Sequence, residues 1–338
     1  MINEIIKLVS PKNLEIFFKD EQYDNNLVVV RPTYLSICAA DQRYYQGKRS
    51  REILEKKLPL TLIHEGVGEV IYDANKEFQV GEKVVMIPNI PIEEDDIIKE
   101  NYLRSSKFRS SSADGFMQSA VYIKRDRIIP IRNIEENVGA LIELCSISIN
   151  AIENFIKKGH KRRNVFGVWG SGNMGYTTSL FLKSYFPDSK VIVLGTRQEK
   201  LAYFSFVDET RLITDIDENF KVDHAFECVG GPKSEGAISQ IIDVIEPEGC
   251  INLLGVSEEP VDINTRMVLE KGLSLLGNSR SGYNDFEKTV ELLQDKQMQE
   301  YLENIISETI QINQLNDINE AFERDLNNDF KTVMKWNM

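Results

Sequence analysis

Four side chains between positions 38 and 143 are of the types that hold a catalytic metal. They are Cys38 in "SICAADQRYY", His64 and Glu65 in "LTLIHEGVGEV", and Glu143 in "ALIELCSISINAI". A thiolate, an imidazole and a carboxylate form a sensible donor set for zinc with one position left open. His64 is one of only three histidines, and the His-Glu-Gly-x-Gly string predicts a sharp glycine turn beside it. Glu143 interrupts an apolar helix face, where an unpaired charge is costly. No local spacing rule ties these residues together, and each has a plainer reading. Cys38 can be a small buried hydrophobe, His64 a hydrogen-bonded turn residue and Glu143 a partly exposed helix residue.

A second chemistry is written in "NVFGVWGSGNMGYTTSLFLKSY", where Gly170, Gly172 and Gly175 take G-x-G-x-x-G spacing with Asn173 and Met174 between the last two. An apolar strand precedes the motif and a helix follows, the context a dinucleotide fingerprint requires. Gly170 permits the turn, Gly172 admits a pyrophosphate against the backbone, and Gly175 lets helix and strand pack closely. The next strand, "KVIVLG", ends without the carboxylate that would take the ribose hydroxyls of NAD. Gly195, Thr196 and Arg197 stand there instead, with Lys200 one turn further on. A guanidinium is a bidentate partner for a 2′-phosphate, so the pattern favours NADP(H). The plainer alternative leaves Arg197 solvating a helix start.

These residues need elements to position them. Residues 1–150 read as β-rich, with "NLVVVRPTYLSIC", "GVGEVIY", "GEKVVMIP" and "GFMQSAVYI" as strand-like runs between Gly, Pro, Asn and Asp. From about Ile134 the apolar spacing turns helical, in one run ending near Gly159. Strands and helices then alternate over 151–280, which predicts a doubly wound parallel sheet. Beyond that, "YNDFEKTVELLQDK" reads as an amphipathic helix and "KTVMKW" as a strand. This tail, 281–338, is too short for a core of its own and is expected to complete the first domain.

The whole chain of 338 residues suits two domains, and its 42% hydrophobic and 28% charged composition is that of a soluble globular protein. A formal net charge of −13 speaks against nucleic acid as a partner. No run is long and uncharged enough for a membrane span, and "MINEIIKLVS" lacks the features of a signal peptide. Four scattered cysteines suggest no disulfide framework and fit a reducing cytoplasm.

Over nearly its full length the chain resembles the zinc-dependent medium-chain dehydrogenase/reductases. The residues that carry this are Cys38-Ala-Ala-Asp41, His64-Glu65-Gly66-x-Gly68, "DGFMQSAVY", Glu143 with "SISINAI", and the glycine fingerprint. Within that family, "ICAADQRYYQGKR", "ENYLRSSKFRSS", "DHAFECVGG" and "LLGVSEEPVDINTRMVLEKGL" are similar to the bacterial ribulose-5-phosphate reductases. The resemblance implies a β-rich GroES-like catalytic domain and a Rossmann domain, and NADPH-dependent reduction of D-ribulose 5-phosphate to D-ribitol 5-phosphate for teichoic acid or capsular polymer. It implies a zinc that polarises the C2 carbonyl, held by Cys38 and His64 with Glu65 and Glu143 sharing the remaining protein position, and Asp41 orienting His64. It also implies a homodimer and functional coupling to a ribitol-5-phosphate cytidylyltransferase.

Two departures stand out. Ala40 occupies the place of the usual proton-passing Ser or Thr, and residues 92–112 lack the cysteines of a structural zinc lobe, leaving one zinc per chain. That stretch instead supplies Arg104, Lys107 and Arg109, which with Arg43 are the candidate cations for a substrate phosphate; a solvated loop is the plainer reading. The rival functions are an NAD-dependent zinc polyol dehydrogenase and a non-catalytic nucleotide-binding partner of a cytidylyltransferase.

Overall fold

The computed structural model describes residues 2–338. The chain divides into two compact units, Met1–Glu143 with Ser281–Met338, and Leu144–Arg280. The boundary expected at 150 lies instead after Glu143. The helix Ile142–Lys158 runs across it with no Gly or Pro between Ile142 and Lys158, so nothing in the local sequence marks the division.

The first unit is built on a seven-stranded sheet. Along it lie Ile306–Ile312, Lys331–Trp336, Leu27–Ser36, Glu65–Asp73, Lys83–Met86 and Ile128–Pro130, with Val121–Lys124 also paired to Leu27–Ser36. The "KTVMKW" strand therefore does return to the first unit, antiparallel to Leu27–Ser36, with Met334 opposite Leu35. Its core gathers Val28, Val30, Leu35, Val70, Val84, Phe116, Phe322 and Met334, all fully buried. Burial of that apolar area is the main term holding the sheet together.

Three local expectations change. The hairpin Ile2–Ser10/Asn13–Asp20 was not foreseen. Of the "GFMQSAVYI" run only the last three residues enter a strand, Val121–Lys124, while Gly115 and Phe116 donate their N–H groups to the carbonyls of Thr61 and Ile63. The helical run after Ile134 breaks into Glu136–Gly139 and Ile142–Lys158.

The second unit is a six-stranded sheet whose pairings are all parallel. Its strands lie in the order Glu209–Leu212, Lys190–Gly195, Val165–Trp169, His224–Glu227, Cys250–Leu253, Ser274–Gly277. Numbered along the unit this is 3-2-1-4-5-6, the doubly wound order of dinucleotide-binding folds. Among the described residues no helix is long and apolar enough to cross a membrane.

Candidate active site

Cys38 caps the short helix Ala39–Tyr45, and Asp41 is its third residue. The Asp41 carboxylate folds back to accept from the Cys38 N–H at 3.4 Å, which closes a capping box and explains the Cys-x-x-Asp spacing. Asp41 is fully buried, and its Oδ1 accepts from the Ile63 N–H at 3.0 Å and from the Ser110 hydroxyl. Its Oδ2 sits 3.2 Å from His64 Nδ1. That contact occupies Nδ1, so Nε2 is the ring atom left for a metal. Burial pushes the imidazole pKa down, but the Asp41 charge and the Cys38 thiol outweigh it and hold His64 well above the usual histidine range. The same ion pair, with the Ser110 and Ile63 hydrogen bonds, overcomes burial at Asp41 and keeps its carboxyl below the usual range.

The backbone bend beside His64 lies one residue upstream of it, not at the glycines. Ile63 has φ +69, a left-handed conformation rare for a β-branched side chain. It is held there by its N–H bond to Asp41 and by the Phe116 N–H on its carbonyl at 2.8 Å. Gly66 and Gly68 continue into the strand Glu65–Asp73. A Cβ at Gly68 would meet Arg31 O at 2.4 Å, so the glycine is needed for close strand pairing rather than for a turn.

Among the described residues, ligand atoms of Cys38, His64 and Glu65 lie within 4.8 Å of one another. Their chemistry fits zinc: a thiol, an imidazole fixed from behind by a carboxylate, and a second carboxylate. Glu143 is not part of that grouping, although it is buried and feels the charges of His64, Glu65, Lys331 and Asp41. Burial, with Glu65 adding to it, raises the Glu143 pKa to about 7.

Three contributors escaped the sequence reading. Lys331 is buried, with its ammonium 2.6 Å from Glu65 Oε2 and donating to Ile37 O at 2.7 Å. Ser110, at φ +60, holds Asp41. The Phe108 ring lies 5.3 Å from the His64 ring. Lys331 opens the strand "KTVMKW", and its partner Glu65 is far away in sequence.

The phosphate candidates divide. Arg104 and Lys107 are exposed, and Arg43 is half-buried in the last turn of its helix. Arg109 is spent inside the fold. Its guanidinium donates to the carbonyls of Asp114 at 3.2 Å and Tyr122 at 3.1 Å and stacks over Phe116 at 5.5 Å. Burial lowers its pKa to about 10. Two of the Arg109 donors thus serve the backbone while Nε finds no partner among the described residues, which makes Arg109 a poorer phosphate candidate than the exposed Arg104 and Lys107.

In the second unit, Gly170 at φ +117 ends the strand Val165–Trp169, and Gly172 caps the helix Asn173–Tyr185. A Cβ at Gly175 would sit 1.7 Å from Gly170 O, so any side chain there would break the turn. A Cβ at Gly172 would meet nothing within 4 Å. Space is thus left beside the helix N-terminus, where a pyrophosphate is stabilised. Asn173 and Met174 open that helix, half-buried. Thr196 and Arg197 are exposed just past the strand Lys190–Gly195, with Lys200 half-buried in the following helical turn.

Two sequence families match the chain: "Alcohol dehydrogenase GroES-like domain" over residues 24–133 and "Glucose dehydrogenase C-terminus" over 136–336. A ribulose-5-phosphate reductase of Bacillus spizizenii is 50% identical over 99% of both chains. Ribulose-5-phosphate reductase 1 of Staphylococcus aureus is also 50% identical, over 100% of both. The crystal structure of S. aureus TarJ in complex with NADPH superposes with a TM-score of 0.89, at 45% identity and full coverage of both chains. The chain therefore belongs to the zinc-dependent medium-chain dehydrogenase/reductase family, in the group of these ribulose-5-phosphate reductases.

Proposed function

We propose that the protein reduces D-ribulose 5-phosphate to D-ribitol 5-phosphate with NADPH. The observation that carries this reading is the full-length 50% identity to two ribulose-5-phosphate reductases, together with the donor cluster at Cys38, His64 and Glu65. Cys38 and His64, with Glu65 or Glu143, would hold a single zinc, which when bound supplies Lewis acidity to a substrate carbonyl. Asp41 fixes the His64 tautomer and ring, and Lys331 compensates the Glu65 charge. If Glu65 is the carboxylate that holds the metal, Glu143, whose pKa burial and the neighbouring Glu65 push up, would be the buried carboxyl placed to carry a proton. Arg197 and Lys200 would meet the 2′-phosphate, and Arg43, Arg104 and Lys107 the sugar phosphate.

The same reading carries a homodimer, coupling to a ribitol-5-phosphate cytidylyltransferase, a cytoplasmic location, and supply of ribitol phosphate to teichoic acid or capsule. The deciding experiment follows NADPH absorbance with purified, zinc-loaded protein, comparing ribulose 5-phosphate with ribulose and NADPH with NADH. Turnover restricted to the phosphorylated sugar and NADPH supports the reading. Preference for NADH and an unphosphorylated polyol would replace it with a polyol dehydrogenase.

A further inference from the structure

The hairpin that opens the chain, Ile2–Ser10 with Asn13–Asp20, offers one unpaired edge. Its first strand is tied inward: the Ile6 N–H donates to Met117 O at 3.0 Å, and Leu8 exchanges N–H bonds with Leu60 at 2.9 and 3.1 Å. The far edge of Asn13–Asp20 pairs with no other strand among the described residues, and only Leu14 of that strand is buried. Exposed edges are usually blunted by Lys, Pro or a bulge, because their free N–H and C=O groups accept another strand. Here the middle of the edge reads Glu15-Ile16-Phe17-Phe18, and its three apolar side chains are 37%, 37% and 68% exposed. Ile2, 69% exposed, lies on the same face as Ile16 and Phe18, because it stands opposite Asp20 and successive residues alternate. Apolar surface gathered in this way marks a contact with another chain.

The strand carries its own complement. Two copies meeting about a two-fold axis at Phe17 run antiparallel, with residues equidistant from Phe17 directly opposed. Glu15 then faces Lys19 of the second copy, Ile16 faces Phe18, and Phe17 faces itself. Opposite charges and aromatic–apolar neighbours are the pairs that stabilise a ladder. Neighbouring registers lose them. Centring on Phe18 opposes Glu15 to Glu21 and Phe17 to Lys19, and centring on Ile16 opposes Glu15 to Phe17 and Asn13 to Lys19. Within one chain Lys19 reaches Glu21 at 2.7 Å, but the Lys19 side chain is 61% exposed there, and so solvated a contact is readily exchanged. We propose that this edge is a self-association surface, on which a second copy of the chain pairs its own Asn13–Asp20 strand antiparallel about Phe17. The proposal gives the homodimer a surface and rests on the hairpin alone, whatever the substrate.

The test is oxidative cross-linking of zinc-loaded, full-length protein, read as disulfide-linked dimer on a non-reducing denaturing gel. Phe17→Cys places two thiols directly across the axis, with Cα atoms about 4.5–5.5 Å apart and inside disulfide range. Phe18→Cys places them on a diagonal of roughly 7–8 Å, too far to bridge without backbone movement. Chance collision predicts the opposite order, since Phe18 is the more exposed. Wild type, with Cys38 half-buried and its other three cysteines buried, supplies the background. Phe17→Cys should cross-link at least about tenfold faster than Phe18→Cys. Adding Glu15→Lys or Lys19→Glu to Phe17→Cys sets like charges face to face and should slow cross-linking several-fold, and adding both should restore it. Cross-linking of Phe17→Cys at the wild-type background, equal rates for Phe17→Cys and Phe18→Cys, or a charge swap that restores nothing would each overturn the proposal. No arm of the test reads turnover, so its failure leaves the ribulose 5-phosphate reading untouched.

Discussion

The Lys331 ammonium lies 2.6 Å from the Glu65 carboxylate, and both side chains are almost wholly buried. Breaking a buried pair leaves one charge uncompensated, so Lys331→Met should destabilise the catalytic unit by about 3–5 kcal/mol. Lys331→Met with Glu65→Gln should recover much of that loss. The chain has two tryptophans, Trp336 in this unit and Trp169 in the other, so a Trp169→Phe background lets Trp336 fluorescence report denaturant unfolding of the catalytic unit. A loss below about 1 kcal/mol would mean the pair is solvated in solution.

Zinc content should follow the donor cluster. Cys38→Ala and His64→Ala should each abolish bound zinc in elemental analysis while circular dichroism stays near wild type. Asp41→Asn touches the His64 ring without being in the donor cluster. Loss of such a supporting carboxylate lowers metal affinity by about 10–100-fold, measurable by chelator competition. Full activity in rigorously metal-free protein would contradict the assignment.

Cofactor choice should turn on Arg197. Arg197→Ala removes a charge-assisted contact of about 1.5–3 kcal/mol, and NADPH should bind roughly 10–100-fold more weakly with NADH little changed. Adding Asp at Gly195 is a poorer test, since its Cβ would come within 2.7 Å of Ser171 Oγ. An unchanged ratio of NADPH to NADH affinity would place the 2′-phosphate elsewhere.

The loop cations should behave differently from one another. Arg104→Ala is expected to raise KM for ribulose 5-phosphate and leave unphosphorylated ribulose, already a poor substrate, unaffected. Arg109→Ala strands the carbonyls of Asp114 and Tyr122 and should lower stability by about 1–3 kcal/mol for each group left unpaired. Its losses should therefore be similar on both substrates. Steady-state kinetics with the two sugars, beside a melting curve, separates these behaviours.

Acid should loosen the nucleotide-binding unit through His224. Its Nδ1 accepts from the Cys250 N–H at 3.1 Å, and Nε2 donates to Arg162 O at 3.0 Å, so a second proton would cost the first bond. Burial, with His160 adjacent, pushes its pKa down to about 4. Unfolded histidine titrates near 6.5, so between about pH 6.5 and 4 the unfolded chain binds a proton that the folded chain refuses. Stability should fall as pH drops through that window, and His224→Gln should flatten the slope of melting temperature against pH. An equal slope in the variant would assign the effect to other groups.

The sequence was most legible where structure is local. "KVIVLG" and "KTVMKW" are strands to the residue, and the helix after the fingerprint runs from Asn173 to Tyr185 as its apolar spacing indicates. Cys38-x-x-Asp41 was legible because a helix cap fixes both residues within one turn. What stayed hidden depends on distant pairing. Nothing near Lys331 announces Glu65, and nothing near Arg109 announces the Tyr122 carbonyl that uses its guanidinium. The glycines of His-Glu-Gly-x-Gly suggested a bend because close strand pairing and turning both call for a missing Cβ, and only the partner strand distinguishes them.

The bond from Lys331 to the Ile37 carbonyl joins positions 294 apart, which imposes an order on synthesis. The strands of the nucleotide-binding unit all fall within one continuous segment, residues 144–280, and can close their sheet as they leave the ribosome. The catalytic sheet must wait for its Lys331–Trp336 strand. At translation speeds of about 5–20 residues per second, the delay after Ile37 emerges is roughly 15–60 s. Each newborn chain therefore carries the Cys38 thiol and His64 imidazole in an unfinished sheet for that interval, open to solvent ions and oxidants.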